Sequence, residues 1–455
     1  MTRAEELAAF VARTSYDMLS GKAREELKIR LIDSLGCMIG ALAAEPVRII
    51  RDQINEFNGS GLCACIGGGR TAPDRAAFYN SALVRYLDFN DSYLAPRETC
   101  HPSDNLGAVL AAAEYSDAGG REFLTALAVS YQVQCRLSDV APVRDKGFDH
   151  TTQGSYAVAA GVARALRLDP VRTAHAIAIS GTAFNALRVT RTGALSNWKG
   201  LAYPNTAFGA THATFLAARG ITGPLEVFEG NKGFMDAIAG PFEIDWERED
   251  LERVTRTVVK KFNAEIHSQS AIEGVLELQT RHGFAAADVE RVDVEIFDVA
   301  HRIIGGGEEG GKKIVETKEQ ADHSLPFLLA VALLDGQVMP EQYEPERIRC
   351  DDVQKLLQRI EVRPNQSYSA RFPAEIACSL ETLLKDGRTF KIEKTDYEGF
   401  VNRPLRWEGA ADKFRRLAGA CCETPVMDEI ICIVAEMENA HLRDLTHVLQ
   451  NVRLA

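Results

Sequence analysis

The hydrophobic period of this chain changes once, and that change limits what it can fold into. Up to about residue 255 apolar residues recur at helical spacing, and near residue 285 they begin to alternate. In 23–42 the helical set is Leu27, Ile29, Leu31, Ile32, Leu35, Met38 and Ile39. Segments 106–115, 126–135, 155–166 and 205–218 read the same way and are rich in Ala and Gly, which lets helices pack closely. Asp169-Pro170 is a helix entry, with Asp at the cap and Pro in the first turn. The run 289–297, V-E-R-V-D-V-E-I-F, alternates as a half-buried strand, and 360–363 is a shorter one. Segments 374–383 and 389–394 flank Asp386-Gly387, a strong hairpin signal. A helix is expected over 325–334, and helical patterning returns at 410–419 and 427–436. The expectation is a mainly α fold with a smaller α+β domain. A helical domain spans 1–257, an α+β domain 258–396, and the helices of 397–455 rejoin the first domain.

Composition narrows the function classes. At 455 residues, 46% hydrophobic and 25% charged, the chain is globular and too long for one ordinary core. A net charge of -12 without a basic block argues against nucleic-acid partners. The N-terminus lacks a signal-peptide pattern, and no apolar run reaches the roughly 18 residues of a membrane span. A soluble, cytoplasmic protein is expected. The ten cysteines are scattered without a C-x-x-C. That favours reduced, mostly buried thiols over disulfides, zinc or iron–sulfur sites. Cys63-x-Cys65 reads as packing.

Four segments concentrate chemistry among small residues. The first runs Leu87-Asp88-Phe89-Asn90-Asp91-Ser92-Tyr93, then Cys100-His101-Pro102-Ser103-Asp104-Asn105, a dense polar loop between two apolar helices. His101 and Asp91 are its candidates for catalysis or substrate contact. The plainer alternative has Ser103 or Asp104 capping the helix that follows. The second, around His150, precedes a small-residue helix whose positive end suits an anion; a surface capping loop is the alternative. The third holds Arg188, Arg191 and Lys199; the two arginines share a face if the segment is helical. Arg suits carboxylates and Lys supplies a point charge, against the alternative of a solvated basic face. The fourth, 260–269, carries Lys260, Glu265 and His267 where the period changes, and a later element carries Asp322, His323 and Ser324. There, Asp322 or Ser324 as a helix cap is the plain reading. No H-E-x-x-H or G-x-S-x-G occurs, so no metal site is expected by spacing and serine-hydrolase chemistry is disfavoured.

In this order the segments LDFNDSYL…HPSDN, SNWKGLAYPN, KKFNAEIHSQSAIE and ADHSLPFLLAVALLDG resemble the MmgE/PrpD family. The resemblance extends to the opening Leu31-Ile32-Asp33-Ser34-Leu35-Gly36-Cys37. It implies a large all-helical domain with an α+β lid, a homodimer, and a metal-independent site between the domains with no cofactor. Within the family, the first and third segments are most similar to the methylcitrate dehydratases. The decarboxylase relatives carry His where this chain has Glu265, Tyr where it has Phe327, and Thr where it has Ala95. Carried over residue by residue, Asp91, His101, His150, Lys199 and Lys260 fall at active-site positions. Arg188, Arg191, Ser103, Glu265, His267 and His323 are candidates for substrate contact.

The implied activity is dehydration of a small hydroxy polycarboxylate, 2-methylcitrate to 2-methyl-cis-aconitate being the first choice. Such a reaction needs a base for a carbon-bound proton, cations for the charge that builds on a carboxylate, and an acid for the departing hydroxide. His101, oriented by Asp91, is the leading acid/base, and His150 a second proton carrier. Lys199, Lys260, Arg188 and Arg191 would hold carboxylates. Epimerisation or racemisation needs the same proton abstraction without loss of water, and decarboxylation of a related acid shares the scaffold. A catalytically idle binding relative is the alternative of another class.

Overall fold

Helices form where the apolar period predicts them. The computed structural model describes residues 1–57, 59–193 and 195–453, and they divide into two compact units. One comprises Met1–Thr190, Gly200–Thr257 and Arg406–Ala455; the other comprises Arg191–Lys199 and Val258–Leu405.

The first unit contains α1 (Arg3–Arg13), α2 (Gly21–Gly40), α3 (Glu45–Phe57), α4 (Pro73–Tyr86), α5 (Leu106–Tyr115), α6 (Gly120–Val140), α7 (Thr151–Ala165), α8 (Pro170–Ala183) and most of α9 (Trp198–Ala218). Its centre is α5, α6 and α7; α5 and α7 are apolar or small on nearly every side and almost wholly buried, while α6 keeps Arg121, Glu122, Arg136 and Asp139 out of its buried set. Small residues set the spacing. A Cβ on Gly107 of α5 would lie 2.3 Å from the Ser81 main-chain nitrogen of α4, so only Gly permits that approach. As read from the sequence, Asp169 caps α8 by accepting from the Arg172 N–H at 2.9 Å. Two short hairpins, β1 (Cys63–Ala64) with β2 (Arg70–Thr71) and β3 (Tyr93–Ala95) with β4 (Glu98–Cys100), interrupt the helices. The helices Trp407–Ala418, Thr424–Ala435 and Leu442–Gln450 belong to this unit, the first of them packed on α2.

The second unit is built on a four-stranded mixed sheet, ordered β6-β5-β7-β8. Its strands are β5 (Val289–Ile296), β6 (Ile360–Pro364), β7 (Cys378–Leu384) and β8 (Thr389–Lys394). β5 runs parallel to β6 and antiparallel to β7, and the predicted hairpin joins β7 to β8 with Gly387 at φ 88°. The alternation of β5 is imperfect. Glu290 and Arg291 are both exposed, because the register with β7 shifts between Val289 and Arg291. Helix α10 (Gln269–His282) covers β7 and β8. The buried helix Leu325–Asp335 packs on α10 and is capped by Ser324, whose hydroxyl accepts from the Phe327 N–H.

All ten cysteines are free thiols and eight are buried. The Cys63 thiol donates to the Ala111 carbonyl, consistent with packing. Among the described residues, no helix is long and apolar enough to cross a membrane.

Candidate active site

The first polar cluster is made by the loop between α4 and α5. The β3–β4 hairpin folds residues 91 and 101 back on each other, so His101 Nδ1 lies 2.8 Å from the Asp91 carbonyl oxygen and 3.1 Å from Ser92 Oγ. Asp91 therefore holds His101 through its main chain. Its carboxylate accepts instead from the Ser103 N–H at 3.1 Å and hydroxyl at 2.7 Å. The plainer alternative, in which Ser103 or Asp104 caps α5, is not what forms. Residues Pro102–Asn105 form a 3-10 turn running into α5, whose N-cap Asn105 makes no side-chain cap bond. Ser103 is taken by Asp91, and Asp104 Oδ1 accepts from Asn90 Nδ2 at 2.9 Å. Arg85, from the last turn of α4, donates to Asp88 at 2.6 Å and lies 3.7 Å from Asp104 Oδ2. Burial raises the Asp91 carboxyl to about 6 despite opposing help from Ser103, Arg30 and Tyr131.

His150 sits at the N-cap of α7, as its position before a small-residue helix suggests. Its Nδ1 lies 3.1 Å from Asp149 Oδ1, and its Nε2 lies 3.8 Å from Asp104 Oδ2 and has no hydrogen-bond partner among the described residues. The His150 ring meets the His101 ring edge to face at 5.4 Å and stacks on Tyr203 at 6.0 Å. Tyr203 donates towards Asn105 Oδ1 at 2.9 Å. Asp149 is held through an isolated β-bridge between Phe148 and Leu187, and Arg188 lies 3.9 Å from its carboxylate. Arg188 and Arg191 are the ends of one 3-10 turn; Arg188 is half-buried, while Arg191 is buried and groups with the second unit.

The second unit carries its own charged cluster. Lys199 Nζ donates to Asp322 Oδ1 at 2.6 Å and lies 2.9 Å from His323 Nδ1, which is itself 2.7 Å from Asp322 Oδ1. Lys318 donates to Asp322 Oδ2 at 2.9 Å. Burial alone would raise Asp322, but Lys199, Lys318 and His323 hold it far below the usual carboxylate range. Beside it Glu265 accepts from the His267 N–H at 2.7 Å and meets His267 Nδ1 at 2.6 Å. Against a burial penalty, His267, His323 and Lys260 lower Glu265 to about 2. His267 is fully buried against the rings of Phe297 and Phe372, and its Nε2 has no hydrogen-bond partner among the described residues. Lys260 is likewise fully buried.

Several members of these clusters lie outside the candidate site residues that the sequence singles out. Lys318 and Asp322 stand at i, i+4 and Arg85 and Asp88 at i, i+3, spacings that signal ion pairs on a helix. Asn90 and Asp104 lie within the polar motif, but nothing local shows that they bond each other. Asp149 is visible only as a neighbour of His150.

The profile of the MmgE/PrpD N-terminal domain matches residues 5–247, and that of the MmgE/PrpD C-terminal domain matches residues 262–439. Lys260 falls in the short stretch between them. Among curated proteins, the chain is 28% identical to a 2-methylcitrate dehydratase of Cupriavidus necator over 88% of this chain and 87% of that one. It is 26% identical to a 2-methylcitrate dehydratase of Escherichia coli K12, covering 84% and 83%. It is 23% identical to a cis-aconitate decarboxylase of Mus musculus, covering 96% and 90%. Both domain profiles are met in order along most of its length, with the histidine loop inside the first and the Glu265–Asp322 cluster inside the second, and this chain belongs to the MmgE/PrpD family.

Proposed function

We propose that this protein is a metal-independent hydro-lyase that dehydrates a small hydroxy polycarboxylate, 2-methylcitrate to 2-methyl-cis-aconitate. The observation that carries the reading is the His101–His150 pair: two buried imidazoles, ring centroids 5.4 Å apart, each held through Nδ1 by a neighbouring oxygen. Proton removal and proton delivery are the two demands of dehydration, and imidazole meets either near neutral pH. His101 acts as the leading acid/base. A proton leaves the carbon next to a carboxylate, its electron pair becomes the new C=C bond, and the C–O bond breaks. The departing hydroxide takes a proton and leaves as water, with His150 the second proton carrier. Lys199 and Lys260, with Arg188 and Arg191, supply the positive charge that stabilises the carboxylate during proton loss. Ser103 fixes the Asp91 carboxylate. Glu265, held ionised by His267, and His323, on Asp322, orient the cations and the substrate.

Absorbance in the conjugated-acid band tests this, on chelator-treated protein given 2-methylcitrate, citrate and then cis-aconitate. A rise with 2-methylcitrate that survives chelation is expected. His101→Ala is expected to lose at least about a hundredfold in kcat, and wild-type turnover by that variant would sink the assignment.

The same pair favours a second reading. Two imidazoles near one carbon can remove a proton and return it, which is epimerisation. Solvent deuterium entering the substrate without a conjugated product would select it. Decarboxylation, the activity in the mouse relative's name, is weighed against by Glu265, Phe327 and Ala95. We also propose a cytoplasmic homodimer, supported by the exposed apolar side chains of Phe208 and Leu216 on α9.

A further inference from the structure

We propose that Lys413, in the C-terminal segment, is a positioning residue for the histidine loop. The inference rests on reading that loop as the proton-transfer site. Lys413 lies on the helix Trp407–Ala418, and its side chain is 8% exposed. Its Nζ lies 2.7 Å from Asp33 Oδ1, donates to the Phe89 carbonyl at 2.8 Å, and stands 3.7 Å from the centroid of the Phe89 ring. Removing an ammonium from water is costly unless it is paired and bonded, and these three contacts provide that. Of the three, only the first is made to α2; the other two fall on the loop, so the charge that neutralises Asp33 also holds Phe89.

Sequence explains how the helix reaches this depth. It packs on α2, which carries Asp33 and, three and seven residues on, Gly36 and Gly40. A Cβ on Gly36 would lie 3.0 Å from Phe414 Cα, and one on Gly40 3.2 Å from the Leu417 carbonyl oxygen. Glycine therefore seats residues 414–417 against α2 and brings Lys413 to the loop. On the loop side, Asp88 takes a left-handed conformation, φ 54°. Around that turn the side chains of Asp88 and Asn90 meet Arg85, while the ring and carbonyl of Phe89 meet Lys413. The next residue but one is Asp91, whose carbonyl holds His101. The loop is thus gripped from α4 by Arg85 and from the C-terminal segment by Lys413, and the second grip sets where residue 91 presents its oxygen. A segment more than 300 positions away in the chain becomes part of the active-site apparatus.

Hydrogen exchange on the full-length protein, read by mass spectrometry over 87–105, tests the anchoring without reference to activity. The variants are Lys413→Met, Lys413→Arg, and Asp33→Asn/Lys413→Met, which avoids leaving a lone buried carboxylate. In both Met variants exchange over 87–105 is expected to rise about tenfold or more while α6 is unchanged. On 2-methylcitrate, kcat should fall about tenfold or more with KM within about threefold, and Lys413→Arg should recover most of the loss. Wild-type exchange over 87–105 in a folded double variant would overturn the proposal. So would a kcat loss that appears only with a molecule-wide rise in exchange. If the wild type turns over none of the acids, the functional reading fails, while the exchange result still decides the anchoring.

Discussion

The Asp91 and Glu265 carboxyls are both buried, yet they are displaced in opposite directions, and the cause is the company each keeps. Asp91 accepts two bonds from Ser103 and makes no ion pair among the described residues, so burial dominates and the group rises from 3.8 to about 6. A carboxyl raised in the folded state costs stability when it ionises, so that cost should grow as pH climbs from about 4 to about 6 and then level off. Asp91→Asn keeps an oxygen for Ser103 and removes the charge. At pH 8 it is expected to melt no lower than wild type, while kcat falls at least about tenfold and any inflection of kcat/KM near pH 6 disappears. Glu265 is lowered from 4.5 to about 2 against its burial, with His267 as its strongest helper. Its stabilisation is fully present above pH 4.5 and lost as pH falls towards 2. Glu265→Gln should cost about 3 kcal/mol at pH 7. In urea titrations the gap from wild type should close across the window from pH 4.5 to 2.

At the scale of elements, the polar loop depends on how closely the helices on either side of it meet. The obstacle to any side chain at Gly107 is the Ser81 main chain, 2.3 Å from a built Cβ, and backbone cannot swing aside. Gly107→Ala is expected to destabilise by about 1–3 kcal/mol through overpacking. Gly21→Ala, at the first turn of α2 with nothing within 4 Å of its Cβ, is the matched control. Equal melting temperatures for the two would mean that α4 and α5 can part without cost. Gly154 has a related role in α7: a Cβ there would lie 2.5 Å from the Tyr203 ring, the ring that His150 stacks on.

For the whole molecule, the features that matter are the return of the C-terminal helices to the first unit and the exposed side chains along one face of α9. Phe208 and Leu216, at i and i+8 on α9, are partly exposed on either side of His212, which meets Asp74 at 3.0 Å, and Phe208 also packs edge-on against Phe78. If this face joins two copies, light scattering at micromolar concentration should give twice the chain mass. Phe208→Asp/Leu216→Asp should then give a folded monomer. A wild-type monomer would end the homodimer proposal.

What the sequence determined by itself is what depends on near neighbours. Helix and strand periods, the caps at Asp169 and Ser324, and the Asp386-Gly387 turn involve residues within four positions of one another, so their physics is written locally. The motif that gathers Asp91, His101 and Ser103 was legible for a similar reason, since a single hairpin folds them together. The tertiary structure alone decided which atoms meet. Ser103 is a good cap residue by local rules, yet the buried Asp91 carboxylate claims its hydroxyl, because an unbonded buried anion costs more than an uncapped helix end. The His101 ring is held by the Asp91 carbonyl and not by the carboxylate, since the hairpin register fixes that main-chain oxygen beside it. The His101–His150 pair, the Lys199–Asp322 contact and the grip of Lys413 on Phe89 join residues 49, 123 and 324 positions apart. Separations of that length leave no periodic trace in a sequence, because packing of whole helices brings the partners together.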